Sequence, residues 1–231
     1  MASKKSRRRR SNPEIKKSPM EKKGVKLGIV LIVVIVIISI VAVLILGGNN
    51  TDNTNNNDDV IYNTENPVAV INTSMGTIKV ELYEDLVPNT VNNFIKLAKD
   101  GFYNNLVFHR VIEDFMIQGG GFDADGNRKE SPYGAIDLEI NPEVKHVNGA
   151  IAMARTSDPN SATSQFFIDD GPQSQLEPGG VDQYGYAAFG VTIEGIEVVR
   201  AIASVSTTTK FGMNDWPVND VIINSITIEN D

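Results

Sequence analysis

Two stretches hold most of the side chains able to do chemistry. "FHRVIEDFMIQGG", residues 108–120, sets the Arg110 guanidinium and the Gln118 amide among large apolar side chains, Phe115 and Met116 included, and leaves through glycines. On a strand, Phe108 and Arg110 face one way and His109 and Val111 the other. An arginine in such company sits on a half-open surface with its planar fork turned toward a ligand or a carboxylate. From these residues alone, a salt bridge at the rim of a sheet accounts for it equally well. The second stretch, "AMARTSDPNSATSQFFI", residues 152–168, runs from a small apolar strand through a polar loop to Gln165, Phe166 and Phe167. By itself it reads as a surface loop between core strands. Together the two stretches supply a cationic fork, amides able to hold a peptide backbone, and aromatic side chains suited to an apolar pocket.

Other chemistries find little support. The chain has no cysteine, which excludes a disulfide framework, a thiol nucleophile and a lipid-modified cysteine anchor. His109 should point away from Arg110, and His146, in "PEVKHVNGA", has no partner at ligand spacing, so both histidines read as structural. "DADGN", residues 123–127, begins like a calcium loop. Its glycine comes two positions early, however, and Gly134 stands where a bidentate glutamate belongs, so a turn is expected. No metal and no cofactor are expected.

The elements around these stretches follow from periodicity. "VAVINT" and "TIKVELY" flank "SMG", and Ile78, Val80 and Leu82 alternate with Lys79, Glu81 and Tyr83, which predicts a hairpin. "VPNTVNNFIKLAKDG" places Val87, Val91, Phe94 or Ile95, and Ala98 on one helical face, with Pro88 near the start and Gly101 past the end. A second amphipathic helix is expected between Gly195 and Val205, with Ile196, Val199 and Ile202 aligned, and "VIINSITIE" closes the chain as a strand. Several strands and only two helices, in no βαβ rhythm, indicate a mostly antiparallel β domain, closed or nearly so.

Ahead of this domain lie three segments of different character. Residues 1–26 carry eleven Lys or Arg against Glu14 and Glu21, a net of +9; the formal total of −8 therefore leaves −17 for residues 27–231. Such a basic stub suits the anionic inner leaflet of a membrane, and without interleaved aromatics or a folded reader no nucleic-acid binding is expected. Leu27 to Leu46 is an uncharged run interrupted by one serine. At ~1.5 Å per helical residue it spans roughly 30 Å, the thickness of a bilayer's hydrocarbon core. Basic residues precede the run and none occurs from Gly47 to Ile78, so the stub is expected inside and the domain outside. A cleaved signal peptide is the rival reading; the length of the run and the absence of a small-x-small site favour an uncleaved signal anchor. Residues 47–66, which contain "NNTDNTNNNDD", read as a disordered linker holding the 67–231 domain roughly 20 to 25 Å from the membrane.

The motifs of the 67–231 domain resemble those of the cyclophilin-type peptidyl-prolyl cis/trans isomerases. The resemblance rests on "FHRVIEDFMIQGG" and "SQFFI", with "VPNTVNNFI", "GFYNNLVFHRVI" and "YAAFG" in the family's order. It implies a closed eight-stranded antiparallel barrel capped by two helices, here preceded by one transmembrane helix. It also implies an isomerase acting on proline-containing polypeptides; with the apolar run it is expected to serve the folding of exported proteins, as a monomer, and a non-catalytic proline-binding module or chaperone on the same fold is the alternative. Carried over by position, it makes Arg110 the catalytic cation and Phe115, Met116 and Phe167 the proline pocket. Gln118 and Gln165 become the backbone-orienting amides, and Ala154 and Arg155 substrate contacts made mainly through backbone. Tyr186 falls at the rim, with either Leu176 or Val181 as the rim's apolar residue. Many members carry a tryptophan just before that apolar residue. Here Gln175 or Gly180 stands there, and Trp216 lies elsewhere, in "NDWPVND".

Overall fold

The computed structural model describes residues 66–230; the basic stub, the apolar run and all but the last residue of the linker lie outside the described residues. The predicted hairpin forms from β1 (Val68–Thr73) and β2 (Gly76–Leu82), paired so that Thr73 opposes Gly76. Ile78, Val80 and Leu82 are fully buried, as the period-two pattern requires. The helix expected after the hairpin is α1 (Pro88–Lys99). Phe94 and Ile95 are both buried, so its apolar face is wide enough to take the two residues between which the periodicity left a choice. Its first amides are capped from a distance: one Glu139 carboxylate oxygen accepts from the Thr90 N–H at 2.8 Å and the other from the Asn89 N–H at 3.3 Å.

β3 (Leu106–Ile112), β4 (Met116–Asp123), β5 (Ala150–Met153) and β6 (Phe166–Asp169) follow, then a 3₁₀ turn (Ser174–Leu176) and β7 (Ala188–Glu194). The second predicted helix is α2 (Ile196–Ala203), shorter than the stretch expected from the sequence. It starts at Gly195, whose φ of +86° is left-handed and whose absent Cβ would lie 2.3 Å from the Thr77 carbonyl oxygen. β8 (Thr207–Lys210) and β9 (Met213–Pro217) form a separate hairpin, and β10 (Ile222–Glu229) ends the described chain.

Among the described residues, eight strands close into an antiparallel barrel in the order β1-β10-β3-β4-β6-β5-β7-β2. The fold is therefore mostly β, with a closed barrel and two helices, as expected. Two apolar clusters occupy opposite faces of its wall. The larger contains the barrel residues Phe108, Val111, Ile117, Phe166, Ile168 and Phe189 together with the buried face of α1; the smaller contains Met116, Ala152, Phe167, Leu176 and Ala188. Each strand of the β4-β6-β5-β7 wall thus contributes alternate side chains to both. Among the described residues, no helix is long and apolar enough to cross a membrane.

Candidate active site

The register of five neighbouring strands builds the site. Arg110 stands opposite Gln118, Gln118 opposite Phe167, Phe167 opposite Ala152, and Ala152 opposite Ala188. Residues paired across strands share a face, so this row runs over the outer wall, away from the barrel interior. Above it lies a cavity of about 300 Å³. Of the residues singled out from the sequence, Arg110, Gln118, Phe115, Met116, Ala154, Arg155, Phe167, Leu176 and Tyr186 line it. Gln165 lies just beyond, in an adjoining hollow shared with Gln118, and its Oε1 accepts a 3.0 Å hydrogen bond from Gln118 Nε2. The floor is apolar, one side is cationic, and a linked pair of amides stands beside it.

Arg110 does not reach this face by simple alternation. Phe108 pairs with Gly119 and Arg110 with Gln118, so two steps along β3 match one along β4. This bulge is a correction to the predicted facing: Phe108 and Val111 both pack in the barrel core, while His109 and Arg110 both turn out. His109 is buried against Phe122 and Trp216, with ring centroids at 4.7 and 6.1 Å. Burial, aided by the neighbouring Arg110 charge, pushes its imidazole down to about 4, so it stays neutral and structural at ordinary pH. Arg110 meets a carboxylate the sequence did not reveal: its Nε lies 3.8 Å from Asp215 on β9.

The strands and helices that build this row fall within the span of one family model. The model for the cyclophilin type peptidyl-prolyl cis-trans isomerase/CLD family matches residues 68–228. The chain belongs to that family. Peptidyl-prolyl cis-trans isomerase B of Escherichia coli is 40% identical over 163 residues, covering 70% of this chain and 99% of the relative. A peptidyl-prolyl cis-trans isomerase of Acinetobacter baylyi is 43% identical over 166 residues, 71% of this chain and 86% of the relative. Among solved structures, a Cryptosporidium parvum cyclophilin type isomerase, crystallised in the presence of the dipeptide Ala-Pro, is similar with a TM-score of 0.62 and 34% identity. It covers 71% of this chain and 99% of that one.

The rim of the cyclophilin cavity resolves the choice left by the sequence. Leu176, on the 3₁₀ turn, is 4% exposed and lines the cavity, and its carbonyl accepts the Tyr186 N–H at 3.0 Å. Val181 is 59% exposed and does not line the cavity, so its assignment as the rim residue is corrected. The reason is local: Val181 lies in the loop after the 3₁₀ turn, where its N–H donates to the Gln175 carbonyl at 2.8 Å while its side chain stays exposed. Of Gln175 and Gly180, it is Gln175 that directly precedes the apolar rim residue.

Arg155 lines the cavity yet spends its guanidinium on the rim. Its Nε and Nη2 donate to the Gly185 carbonyl at 3.0 and 2.7 Å, Nη2 reaches Asp182 at 2.5 Å, and the group lies 4.6 Å over the Tyr186 ring. The N–H of Ala154 is likewise committed, to the Gln165 carbonyl. Periodicity gave no signal for the Arg155 clamp, because its partners come from a loop without regular structure.

Proposed function

We propose that the cavity receives the proline ring of a polypeptide and that the chain accelerates cis/trans isomerisation of the bond preceding it. The observation that carries this reading is the row that sets Arg110, Gln118 and Phe167 side by side over one apolar cavity. An X-Pro bond rotates over a barrier of ~18–20 kcal/mol because rotation breaks amide resonance. At the twisted state the prolyl nitrogen recovers its lone pair, and a fixed guanidinium aimed at it binds that state better than either planar one. Phe115, Met116, Phe167 and Leu176 hold the ring, Gln118 and Gln165 hold the flanking backbone, and Tyr186 closes the rim. A gain of about 10⁵ in rate needs only ~7 kcal/mol, and the reaction breaks no covalent bond and moves no proton. The Ala-Pro dipeptide named with the Cryptosporidium relative supports the ligand class.

Exchange spectroscopy on a short X-Pro peptide with catalytic amounts of the chain tests this directly. Exchange cross-peaks that appear only with the protein are the expected result. Peptide shift changes without exchange would instead make the domain a proline-binding module, and neither effect would sink both readings.

The amide pair has its own test in Gly121. A Cβ there would meet the Gln165 side chain at 2.5 Å, so the Gln165 amide must shift from its place beside Gln118. Gly121→Ala should therefore break the Gln118–Gln165 hydrogen bond without unfolding the barrel. The expected result is a fall in kcat/KM of about fivefold, the worth of one hydrogen bond of roughly 1 kcal/mol, at nearly unchanged Tm. An unaltered kcat/KM would remove the amide pair from the mechanism.

The uncharged Leu27–Leu46 run and the basic stub support an extracytoplasmic role, with the domain tethered outside and acting, as a monomer, on newly exported proteins. Protease added to intact spheroplasts expressing the chain should digest the domain, and a domain protected until the membrane is broken would reverse the orientation.

A further inference from the structure

Behind the cavity floor lies a buried histidine–aspartate pair with no part in the chemistry above. The His146 ring is stacked on Phe167 at an interplanar angle of 10° with centroids 6.0 Å apart. Its Nδ1 lies 2.9 Å from Asp169 Oδ2 and its Nε2 lies 3.1 Å from the Tyr186 carbonyl oxygen. The two side chains are 1% and 0% exposed. Asp169 shares its strand face with Phe167, two residues before it, and pairs across the ladder with Met116. One imidazole therefore touches both walls of the cavity: it backs the Phe167 ring, and it holds the backbone of Tyr186, whose ring meets Phe167 edge-on at 5.8 Å.

The proton inventory of this pair is constrained. A carbonyl oxygen can only accept, so Nε2 must carry a hydrogen. The second proton bridges Nδ1 and Oδ2, either as imidazolium with carboxylate or as neutral imidazole with carboxylic acid. Losing it would set the Nδ1 lone pair against a carboxylate in a site closed to water. Asp169 Oδ1 is buried without a hydrogen-bond partner among the described residues, so the carboxylate depends on His146 for its stabilisation.

We propose that His146, held by Asp169, is a positioning residue for the proline pocket: it fixes Phe167 from behind and Tyr186 through its carbonyl, and so sets prolyl-peptide affinity without touching the peptide. The inference rests on the isomerase reading for its substrate class, and the Kd arm of its test is independent of that reading. Burial works against a charged imidazole here. The hydrogen bond and charge of Asp169, with the Tyr186 carbonyl and the Glu177 charge, outweigh it and hold His146 above its ordinary value. Burial also pushes Asp169 up to about 6, against the pull of His146. Both shifts favour keeping the bridging proton. The charged neighbours are Glu177, whose Oε1 accepts the His146 backbone N–H at 3.0 Å, and Lys145, which pairs with Glu177 at 3.6 Å. A group whose pKa rises on folding contributes stability that is complete below its unfolded value and fades as pH passes its folded one. The pocket should accordingly hold its shape at neutral pH and loosen on the alkaline side.

The test uses the full chain in detergent and one X-Pro peptide, with KM from the isomerisation assay and Kd from peptide shift changes. His146→Ala should raise KM and Kd by about tenfold with kcat changed much less, the pattern of lost uniform binding. Asp169→Asn can donate its amide N–H to Nδ1 and leave Nε2–H on Tyr186, so it should stay within about twofold of wild type and show no alkaline fall. A merely structural His146 would lower the active fraction, and hence apparent kcat, at unchanged KM; that result overturns the proposal. Should His146→Ala not fold, His146→Leu with Asp169→Val removes the pair with no charge left unpaired, and an unchanged Kd in that variant overturns the proposal equally.

Histidine labelling with nitrogen-15 gives an independent reading, since the chain has only two histidines. Protons on both His146 nitrogens at neutral pH, and a peptide-induced shift at His146 exceeding that at His109, are expected; a His146 signal indifferent to peptide counts against the role. Because Kd is read separately, wild type that binds without turnover would refute the isomerase and leave the positioning role under test.

Discussion

Arg110→Ala should lower kcat/KM for prolyl isomerisation by ~10²–10³, the loss that follows removal of one preorganised donor from a developing charge. Stability should barely move. Arg110 is 45% exposed and its partner Asp215 41%, at 3.8 Å, and ion pairs of that kind contribute ~0–1 kcal/mol. The two roles open to this arginine from its sequence neighbours, a rim salt bridge and a ligand-facing cation, are both present geometrically, and they predict different outcomes. If the salt bridge were its purpose, Arg110→Ala and Asp215→Ala would behave alike, each with a small drop in Tm and intact turnover. If the cation stabilises the twisted bond, Arg110→Ala loses turnover and Asp215→Ala keeps most of it. Arg110→Lys should recover only part of the rate, since a point charge on a flexible stem cannot reproduce the planar fork. Exchange rates on one X-Pro peptide for the three variants decide the matter, and equal rates in Arg110→Ala and wild type would end the catalytic assignment.

Phe94→Ala should give the largest loss of stability. The ring is fully buried where α1 meets the barrel, with Tyr103, Phe166 and Phe189 at centroid distances of 5.2, 5.5 and 5.3 Å. Truncating a phenylalanine in such a site costs ~3–5 kcal/mol, because the cavity left behind cannot collapse against a closed barrel. Out of a net stability of ~5–15 kcal/mol this is a large share, and it corresponds to a drop in Tm of roughly 6–20 °C. Denaturant unfolding measures it; a cost below about 1 kcal/mol would mean that the helix cap and the barrel do not share a core. The consequence reaches the site through β6. Phe166 packs on Phe94 inside the barrel while Phe167, next in the chain, forms the cavity floor on the other side. A loosened Phe166 should therefore appear as weakened peptide affinity in the fraction that remains folded.

The sequence by itself determined whatever depends on neighbours within a turn or a strand. Alternation at Ile78, Val80 and Leu82 gave the hairpin, and Val87, Val91 and Ala98 gave α1, because side-chain direction repeats with a fixed period along a regular backbone. The two motif stretches contain most of the side chains of the cavity, Arg110 and Gln118 among them, since their types and order are local facts, while Leu176 and Tyr186 come from outside both. The tertiary structure alone decided four matters. The β3 bulge put Arg110 and His109 on the same side, because an extra residue cancels the alternation and depends on how β4 pairs, not on β3 itself. Leu176 rather than Val181 reached the cavity, since an irregular loop has no period to read. Asp215 came to Arg110 from a hairpin late in the chain. His146 found Asp169 behind Phe167: two buried groups met because register and loop closure brought them together, and contact at long sequence separation leaves no mark on the residues between.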